Sequence, residues 1–228
     1  MMNANGKTLG TCLRSLLFGA LLLCAAAQAA FANVILTSNR AAIGPGFTID
    51  WSGSGPEFTS LGSPFTQGTG AQAVTVSGAS GFTIFSGSTY NADFLAGDSI
   101  LALYDLSSGP LGGIFSIAFA SAVSSVGAQL QANAYAGFTG MISAFDASNV
   151  LLGGFNVSGS NSGAGDGSAV FAGIISDSLN ISRIEFSGFG DGAGMNQMSV
   201  GVPEPSTFLL LVGPLVFLAV ARRRRGRA

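Results

Sequence analysis

Apolar residues recur at every second position through most of this chain. Phe47, Ile49 and Trp51 share one face of Phe47-Thr48-Ile49-Asp50-Trp51, and Ala73-Val74-Thr75-Val76-Ser77 alternates in the same way. Gly81 to Phe85, Ser99 to Tyr104, Ile114 to Phe119 and Val123 to Ala132 continue the pattern. So do Met141 to Phe145, Val150 to Val157, Ala169 to Ile175, Ile181 to Phe186 and Met195 to Val200. Turn residues, among them Ser77-Gly78-Ala79-Ser80 and Gly109-Pro110, separate nearly all of these runs at a spacing of about 8–12 residues, as a sandwich or barrel requires. No run in this part of the chain shows a capped 3.6-residue period; Asp177-Ser178-Leu179-Asn180 offers one helical turn at most. The 34 glycines oppose long helices, since each interior glycine costs roughly 1 kcal/mol against alanine. The pattern predicts an all-β domain over residues 33–201, folded as one antiparallel β-sandwich.

The two ends break this pattern. Residues 1–32 read as a secretory signal peptide: Lys7 and Arg14 are positive, Leu16 to Ala27 is apolar, and small residues follow. Ala27-Gln28-Ala29 and Ala30-Phe31-Ala32 place cleavage near residue 29 or 32. At the other end, residues 202–228 run from Val202-Pro203-Glu204-Pro205 through an apolar stretch to arginine. Pro203 and Pro205 fix φ and lack an N–H, so they hold the backbone extended. Phe208 to Ala221 predicts a transmembrane helix of 14 residues, against roughly 20 for a full span. Gly213-Pro214 weakens it further. Arg222, Arg223, Arg224, Arg225 and Arg227 fix its topology, because guanidinium groups stay on the cytoplasmic side. The sandwich is thus expected between a signal helix and a short anchor.

The order Pro203-Glu204-Pro205, short apolar helix and terminal arginines resembles the PEP-CTERM sorting signal of Gram-negative bacteria that make extracellular polysaccharide. The resemblance implies that exosortase, a membrane-embedded cysteine transpeptidase, reads residues 203–205 and releases or transfers the protein. Three further segments resemble those of PEP-CTERM ectodomains. They are Phe119 to Gly127, Ala144-Phe145-Asp146-Ala147-Ser148-Asn149-Val150-Leu151, and Phe171 to Ser176 followed by Ile181-Ser182-Arg183-Ile184-Glu185-Phe186. That likeness implies a jelly-roll-like sandwich akin to carbohydrate-binding modules. The final strand of those ectodomains often reads Asp-Asn-Val; here it is Asn196-Gln197-Met198, without the carboxylate.

Composition then removes whole classes of chemistry. Histidine is absent, and the two cysteines, Cys12 and Cys24, lie in the signal. Ser-His-Asp and Cys-His catalysis and N/S-ligated zinc are therefore excluded from the domain. Arg40 and Arg183 are its two basic residues against ten carboxylates, a formal charge of −8, which argues against nucleic acid as a partner. Glu57, Glu185 and the aspartates show no spacing that marks a glycosidase pair. No resident cofactor is expected. Calcium has two candidate ligands, Asp166 in Gly163-Ala164-Gly165-Asp166-Gly167-Ser168 and Asp191 in the Gly188–Gly194 loop. The competing reading of both is a hairpin turn in which glycine supplies positive φ. For sugar binding the amphipathic rings are Trp51, Tyr90, Tyr104 and Tyr135, with Trp51 in phase with the core.

These observations converge on an exported, non-enzymatic surface or extracellular-matrix protein, sorted by exosortase and associated with exopolysaccharide or biofilm. The alternative is a carbohydrate-binding module with a specific glycan ligand; a secreted glycoside-active enzyme is the third reading. Partners expected on the main reading are exosortase, the secretion machinery, signal peptidase and extracellular polysaccharide. The protein would cross the inner membrane, be held transiently by its C-terminal helix, and finish at the cell surface or outside the cell.

Overall fold

The structure, a computed structural model, describes residues 33–78 and 81–202. The signal peptide, the Pro203-Glu204-Pro205 motif and the apolar helix with its arginines lie outside the described residues. Among the described residues no helix is long and apolar enough to cross a membrane.

The described chain is built of strands. The first nine are short: β1 (Val34–Thr37), β2 (Gly46–Ile49), β3 (Ser60–Leu61), β4 (Phe65–Gln67), β5 (Val74–Gly78), β6 (Phe82–Ser86), β7 (Ser99–Ala102), β8 (Tyr104–Asp105) and β9 (Gly109–Pro110). The rest are longer: β10 (Ile114–Val123), β11 (Ser125–Gln131), β12 (Gly137–Phe145), β13 (Leu151–Ser160), β14 (Val170–Ser176), β15 (Ile181–Ser187) and β16 (Gly194–Gly201). Sheet I has the order β1-β14-β11-β16-β7-β6-β3, with β2 also paired to β16. Sheet II has the order β13-β12-β15-β10-β5-β4, and β8 and β9 form a separate ribbon. Every pairing is antiparallel.

The two sheets close on a single apolar layer, as the alternation predicts. Val126, Ala128, Leu130 and Ile174 of sheet I share one core with Ile117, Ile142, Ile184 and Phe186 of sheet II. Phe82 of β6 stacks on Phe115 of β10 with ring centroids 5.8 Å apart. Trp51 is fully buried, and its Nε1 donates to the Asn196 carbonyl at 2.9 Å. The phase of Phe47-Thr48-Ile49-Asp50-Trp51 thus assigns Trp51 correctly to the core. The strand itself stops at Ile49, because Asp50 caps a short 3-10 turn over Trp51–Ser54.

Several local expectations need correction. Gly109-Pro110 is not only a turn: it pairs with β8 as β9. Asp177–Asn180 makes a bend rather than a helical turn. There the Ser176 hydroxyl donates to Asn180 Oδ1 at 2.8 Å and accepts from Ser178 N at 3.3 Å, offering the backbone a local alternative to helix. The two Gly-rich loops are not hairpin turns. The first carries the chain from β13 in sheet II to β14 in sheet I, and the second from β15 in sheet II to β16 in sheet I. Strands β1, β3 and β4 have two to four residues, too few to announce themselves by alternation.

The outer faces of the two sheets differ. That of sheet I is covered. The 3-10 turn Arg40–Ile43 crosses β11 and β16, where Ser125 Oγ donates to the Ile43 carbonyl. The loop between β6 and β7 folds back over the same sheet and builds a second apolar cluster from Phe85, Tyr90, Phe94, Ile100 and Ala169. Phe82, Thr83, Ile84 and Phe85 are consequently all buried, although their sequence alternates. The outer face of sheet II carries Ser116, Arg183, Glu185, Ser143 and Phe145 in register across β10, β15 and β12.

Candidate functional site

The open face of sheet II is built from three strands and one loop. Alternation in Ile181-Ser182-Arg183-Ile184-Glu185-Phe186 sends Ile184 and Phe186 inward and leaves Arg183 and Glu185 on the polar side. Antiparallel pairing then sets Arg183 between Ala118 and Phe145, and Glu185 between Ser116 and Ser143. Arg183 forms an ion pair with Glu185. Its guanidinium carbon lies 3.8 Å from the centroid of the Phe145 ring, a cation–π contact that adds to the pair. Nε donates to Asn149 Oδ1 at 3.3 Å.

Asn149 belongs to the β12–β13 connection, which is held by its own hydrogen bonds. Asp146 Oδ1 accepts from Ser148 N and Val150 N, both at 2.8 Å, and Asp146 N donates to the Val150 carbonyl at 3.0 Å. Asn149 takes φ of 61°, a conformation that asparagine tolerates better than most side chains. Beside this loop runs a groove of about 450 Å³, bordered by Ala118, Ala120, Asp146, Asn149, Ser182 and Arg183. Arg183 Nη2 and Asn149 Nδ2 have no protein acceptor among the described residues, so both are donors free to meet a ligand. The alanines leave a shallow floor. The sequence showed Arg183 on a polar strand face and Asp and Asn in one loop, but not that the two meet.

A second polar cluster lies on sheet I. Arg40 Nη1 donates to Ser199 Oγ at 2.9 Å and Nη2 to Asn196 Oδ1 at 3.1 Å. Asn196 is buried; its Nδ2 donates to Gln129 Oε1 at 2.7 Å and to Asp98 Oδ2 at 3.2 Å. The pairing of β11 with β16 is irregular at this point, where Asn196 and Gln197 oppose Gln129. Burial lowers the Arg40 pKa from its usual value, and Asp98 offsets part of that. Asn196 occupies the position where the resemblance leads one to expect a carboxylate. It is fully engaged here as donor and acceptor, which suits a structural role.

Asp93 is the carboxylate that sequence reasoning passed over. It is buried and accepts from Ser162 Oγ and Ala164 N on Oδ1, and from Gln131 Nε2 and Ser162 N on Oδ2, at 2.7–2.9 Å. Burial acts to raise its pKa, but these donors outweigh burial and hold it at about 2. Asp93 therefore ties the Gly163–Ser168 loop to the loop that covers sheet I. No local spacing signals this, because Gln131 is 38 residues away and Ser162 and Ala164 are 69 and 71.

The calcium candidates stand apart from any cluster. Asp166 is exposed; its Oδ1 accepts from Ser168 N at 3.0 Å, and hydrogen bonds from Ser168 hold its carboxyl below the usual range. Gly167 beside it has φ of 83°, and Gly192 after Asp191 has φ of 69°. Among the described residues no group of three or more Asp, Glu, His or Cys side chains could hold a metal. Of the amphipathic rings, Trp51 and Tyr90 are buried, Tyr104 is half-buried, and Tyr135 is exposed against the backbone of Gly163. Of these four rings, Tyr135 alone is exposed as a platform for sugar.

The fold defines a class: a two-sheet, antiparallel β-sandwich with one covered and one open outer face. No family model and no curated protein matches the chain. Among solved structures it is similar to CsCBM6-3 from Clostridium stercorarium in complex with cellobiose. The identity is 16%, the match covers 64% of this chain and 94% of that one, and the TM-score is 0.31. It is also similar to the family 11 carbohydrate-binding module from Clostridium thermocellum in complex with a β-1,3-1,4-mixed-linked tetrasaccharide. There the identity is 14%, the coverage 65% and 91%, and the TM-score 0.26. A third match is the Arthrobacter globiformis T6 isomalto-dextranase complexed with panose, at 14% identity and a TM-score of 0.29, of which this chain spans 23%. Values this low speak neither to ligand nor to activity.

Proposed function

We propose that this protein is a non-enzymatic, exported β-sandwich that binds a neutral polysaccharide in the groove on the open face of sheet II. The observation that carries this reading is Arg183, held over Phe145 by Glu185, with a free donor beside that of Asn149 at the rim of the groove. Planar donors fixed in this way suit adjacent hydroxyl groups, and the alanine floor suits the apolar face of a sugar ring. Glu185 compensates the charge of Arg183 and Asp146 adds a negative one, so uronate-rich chains are disfavoured. Catalysis is disfavoured because the carboxylates nearest the groove are committed. Asp146 staples its own loop and Glu185 is paired with Arg183.

On this reading the module is delivered by the C-terminal segment. Pro203-Glu204-Pro205, the short apolar stretch and the arginines support sorting by exosortase, and residues 1–32 support export by the secretion machinery and signal peptidase. The domain then belongs to the cell surface or an exopolysaccharide layer. A jelly-roll-like connectivity is supported by the chain's repeated crossing between sheets from β10 to β16, broken only by the β12–β13 hairpin within sheet II.

The test is retention of the exported protein on immobilised neutral and uronate polysaccharides, with Arg183→Ala and Asn149→Ala beside the unaltered chain. Specific retention on a neutral polysaccharide, reduced at least about tenfold in both variants with unchanged circular dichroism, is the expected result. Absence of retention on every glycan, or equal retention by the variants, overturns the groove reading.

A further inference from the structure

At one end of the sandwich β16 runs out through Val202 towards residues 203–228. The pairing of sheet I sets Gly201, Ser125, Ile175 and Ile35 in one row there, on β16, β11, β14 and β1 in turn. Ile35 therefore lies three strand spacings from Gly201, about 14 Å across the sheet. The β10–β11, β12–β13 and β14–β15 connections lie at the same end. Ser124, in the first of them, donates its N–H to the Gly201 carbonyl at 3.0 Å, and its carbonyl accepts from Ser176 N at 2.7 Å.

Exposed apolar side chains gather at this end. Ile35, Leu36, Val150, Leu151 and Leu179 are five of the ten large apolar residues exposed among the described residues. Ile35 and Leu36 belong to β1, Val150 and Leu151 to the start of β13, and Leu179 to the β14–β15 connection. Val34 packs where a side chain on Gly153 would stand, which brings β1 and β13 together. Leu179 follows shortly after Ser176, the strand partner of Val34. Apolar residues gathered in this way mark an interaction surface, whereas single ones do not. Charge is sparse here. The connections hold Asp146 and Asp177, and Arg183 stands beside Asn149, a formal −1 out of the domain's −8.

We propose that this end of the sandwich docks on the surface of a phospholipid bilayer, the one that Phe208 to Ala221 enters. The chain itself selects this occupant. Phe208 is six residues beyond Val202, so the apolar stretch begins at most about 20 Å from the domain. The patch starts in the row of Gly201 and lies within that reach. Gly194, at the other end of β16, is about 23 Å further along the strand. A tether this short raises the effective concentration of bilayer at the patch, so a few inserted side chains suffice. The contact is apolar and does not depend on anionic lipid, which an acidic domain would avoid. Asn149 directly precedes Val150, so the groove opens beside the bilayer while the chain is anchored. The inference rests on Phe208 to Ala221 as a membrane segment and not on what the groove binds.

The experiment places the exported chain, with residues 203–228 intact, in phosphatidylcholine vesicles that carry a lipid with a quencher at headgroup level. Residues 33–228 contain no cysteine, so single introduced cysteines take a fluorophore without competition. Labels on Ile35→Cys, Leu151→Cys and Leu179→Cys should be quenched at least about threefold more than one on Tyr135→Cys, exposed in the β11–β12 connection at the opposite end. Val150→Asp combined with Leu151→Asp should bring quenching at residue 179 down to the level at residue 135, while the protein still floats with the vesicles. Equal quenching at all four positions, or quenching at 179 that survives the two aspartates, overturns the docking and leaves the anchor standing. Vesicles that float without the protein overturn the anchor and the docking together. No glycan enters the assay, so the groove is tested separately by polysaccharide retention.

Discussion

The two arginines of the domain lie on opposite outer faces, and each is stacked on a phenylalanine. Arg40 sits 5.0 Å from the Phe171 ring centroid on sheet I, and Arg183 sits 3.8 Å from that of Phe145 on sheet II. Arg40 belongs to the turn that covers sheet I and spends its donors on Asn196, Ser199 and the Gln197 carbonyl. Arg183 meets one carboxylate and two neutral side chains, and keeps a donor free at a groove. The same residue type in the same kind of contact thus clamps a cover in one place and offers a binding group in the other. The difference comes from the layer above each sheet. A covered face uses its polar groups to satisfy itself, because an unpaired buried donor or acceptor costs about 1–3 kcal/mol. An open face is free of that demand, since water satisfies what the protein does not.

The sharpest way to break this comparison is a pair of glycine substitutions. A Cβ on Gly201 would lie 2.1 Å from the Ile43 carbonyl oxygen and equally close to Ser125 Oγ, so Gly201→Ala must displace the covering turn. Overpacking of this kind costs about 3 kcal/mol. A Cβ on Gly154, at an exposed position of β13, meets the Ser143 side-chain oxygen at 3.2 Å and nothing else closer than 3.9 Å, and Gly154→Ala should stay within about 0.5 kcal/mol. Denaturant unfolding of both variants checks the contrast. Equal losses would mean that the two faces are equally constrained.

Asp93 comes next, because it ties the cover of sheet I to the Gly163–Ser168 loop. Asp93→Asn should cost about 2 kcal/mol, since an amide cannot accept all four hydrogen bonds and forces a donor against a donor. The pH dependence has a definite sign. The folded pKa of about 2 lies below the ordinary 3.8, so the folded state favours the ionised form. This stabilisation is complete above about pH 4 and is lost as pH falls towards 2. Asp105 titrates at about 2 as well, held there mainly by hydrogen bonds from Ser107, so Asp93→Asn should reduce the acid limb without abolishing it. Urea midpoints between pH 2 and 6 provide the measurement. An unchanged acid limb in Asp93→Asn would show that Asp93 does not tie the cover down.

The smallest effect on stability separates the arginines themselves. Arg40→Ala removes charged donors from Asn196 and Ser199 and should cost about 1–2 kcal/mol, reduced from the buried value by its partial exposure. Arg183→Ala breaks a surface pair and should cost less than about 1 kcal/mol. Its loss should appear in polysaccharide retention instead. If Arg183→Ala proved the more destabilising, the groove residues would be structural.

Much of the fold was legible in the chain. Strands β5, β6, β10 to β12 and β14 to β16 lie where period-two alternation places them, because alternation is local and survives any choice of partner. The burial of Trp51 followed from its phase with Ile49. The exclusion of histidine and thiol chemistry needed only the composition. The charge and apolar pattern of the N-terminal end led to export and the resemblance at the C-terminal end to sorting, and both ends lie outside the described residues. Other features were out of reach of local patterns. Alternation says that a strand has two faces, but not whether the second face meets water or another layer. In Phe82-Thr83-Ile84-Phe85 both faces are buried, because the loop between β6 and β7 returns over the sheet. Asp93 reads as one more polar residue until Gln131, Ser162 and Ala164 arrive around it from β11 and the Gly-rich loop. Arg183 and Asn149 become one site only when β15 pairs with β12 and the β12–β13 loop turns back over the sheet edge. The physical reason is the same in each case. Strand formation depends on the side chains of neighbouring residues, whereas the covering of a face and the meeting of polar groups depend on contacts between segments far apart in the chain, which form only when the sandwich closes.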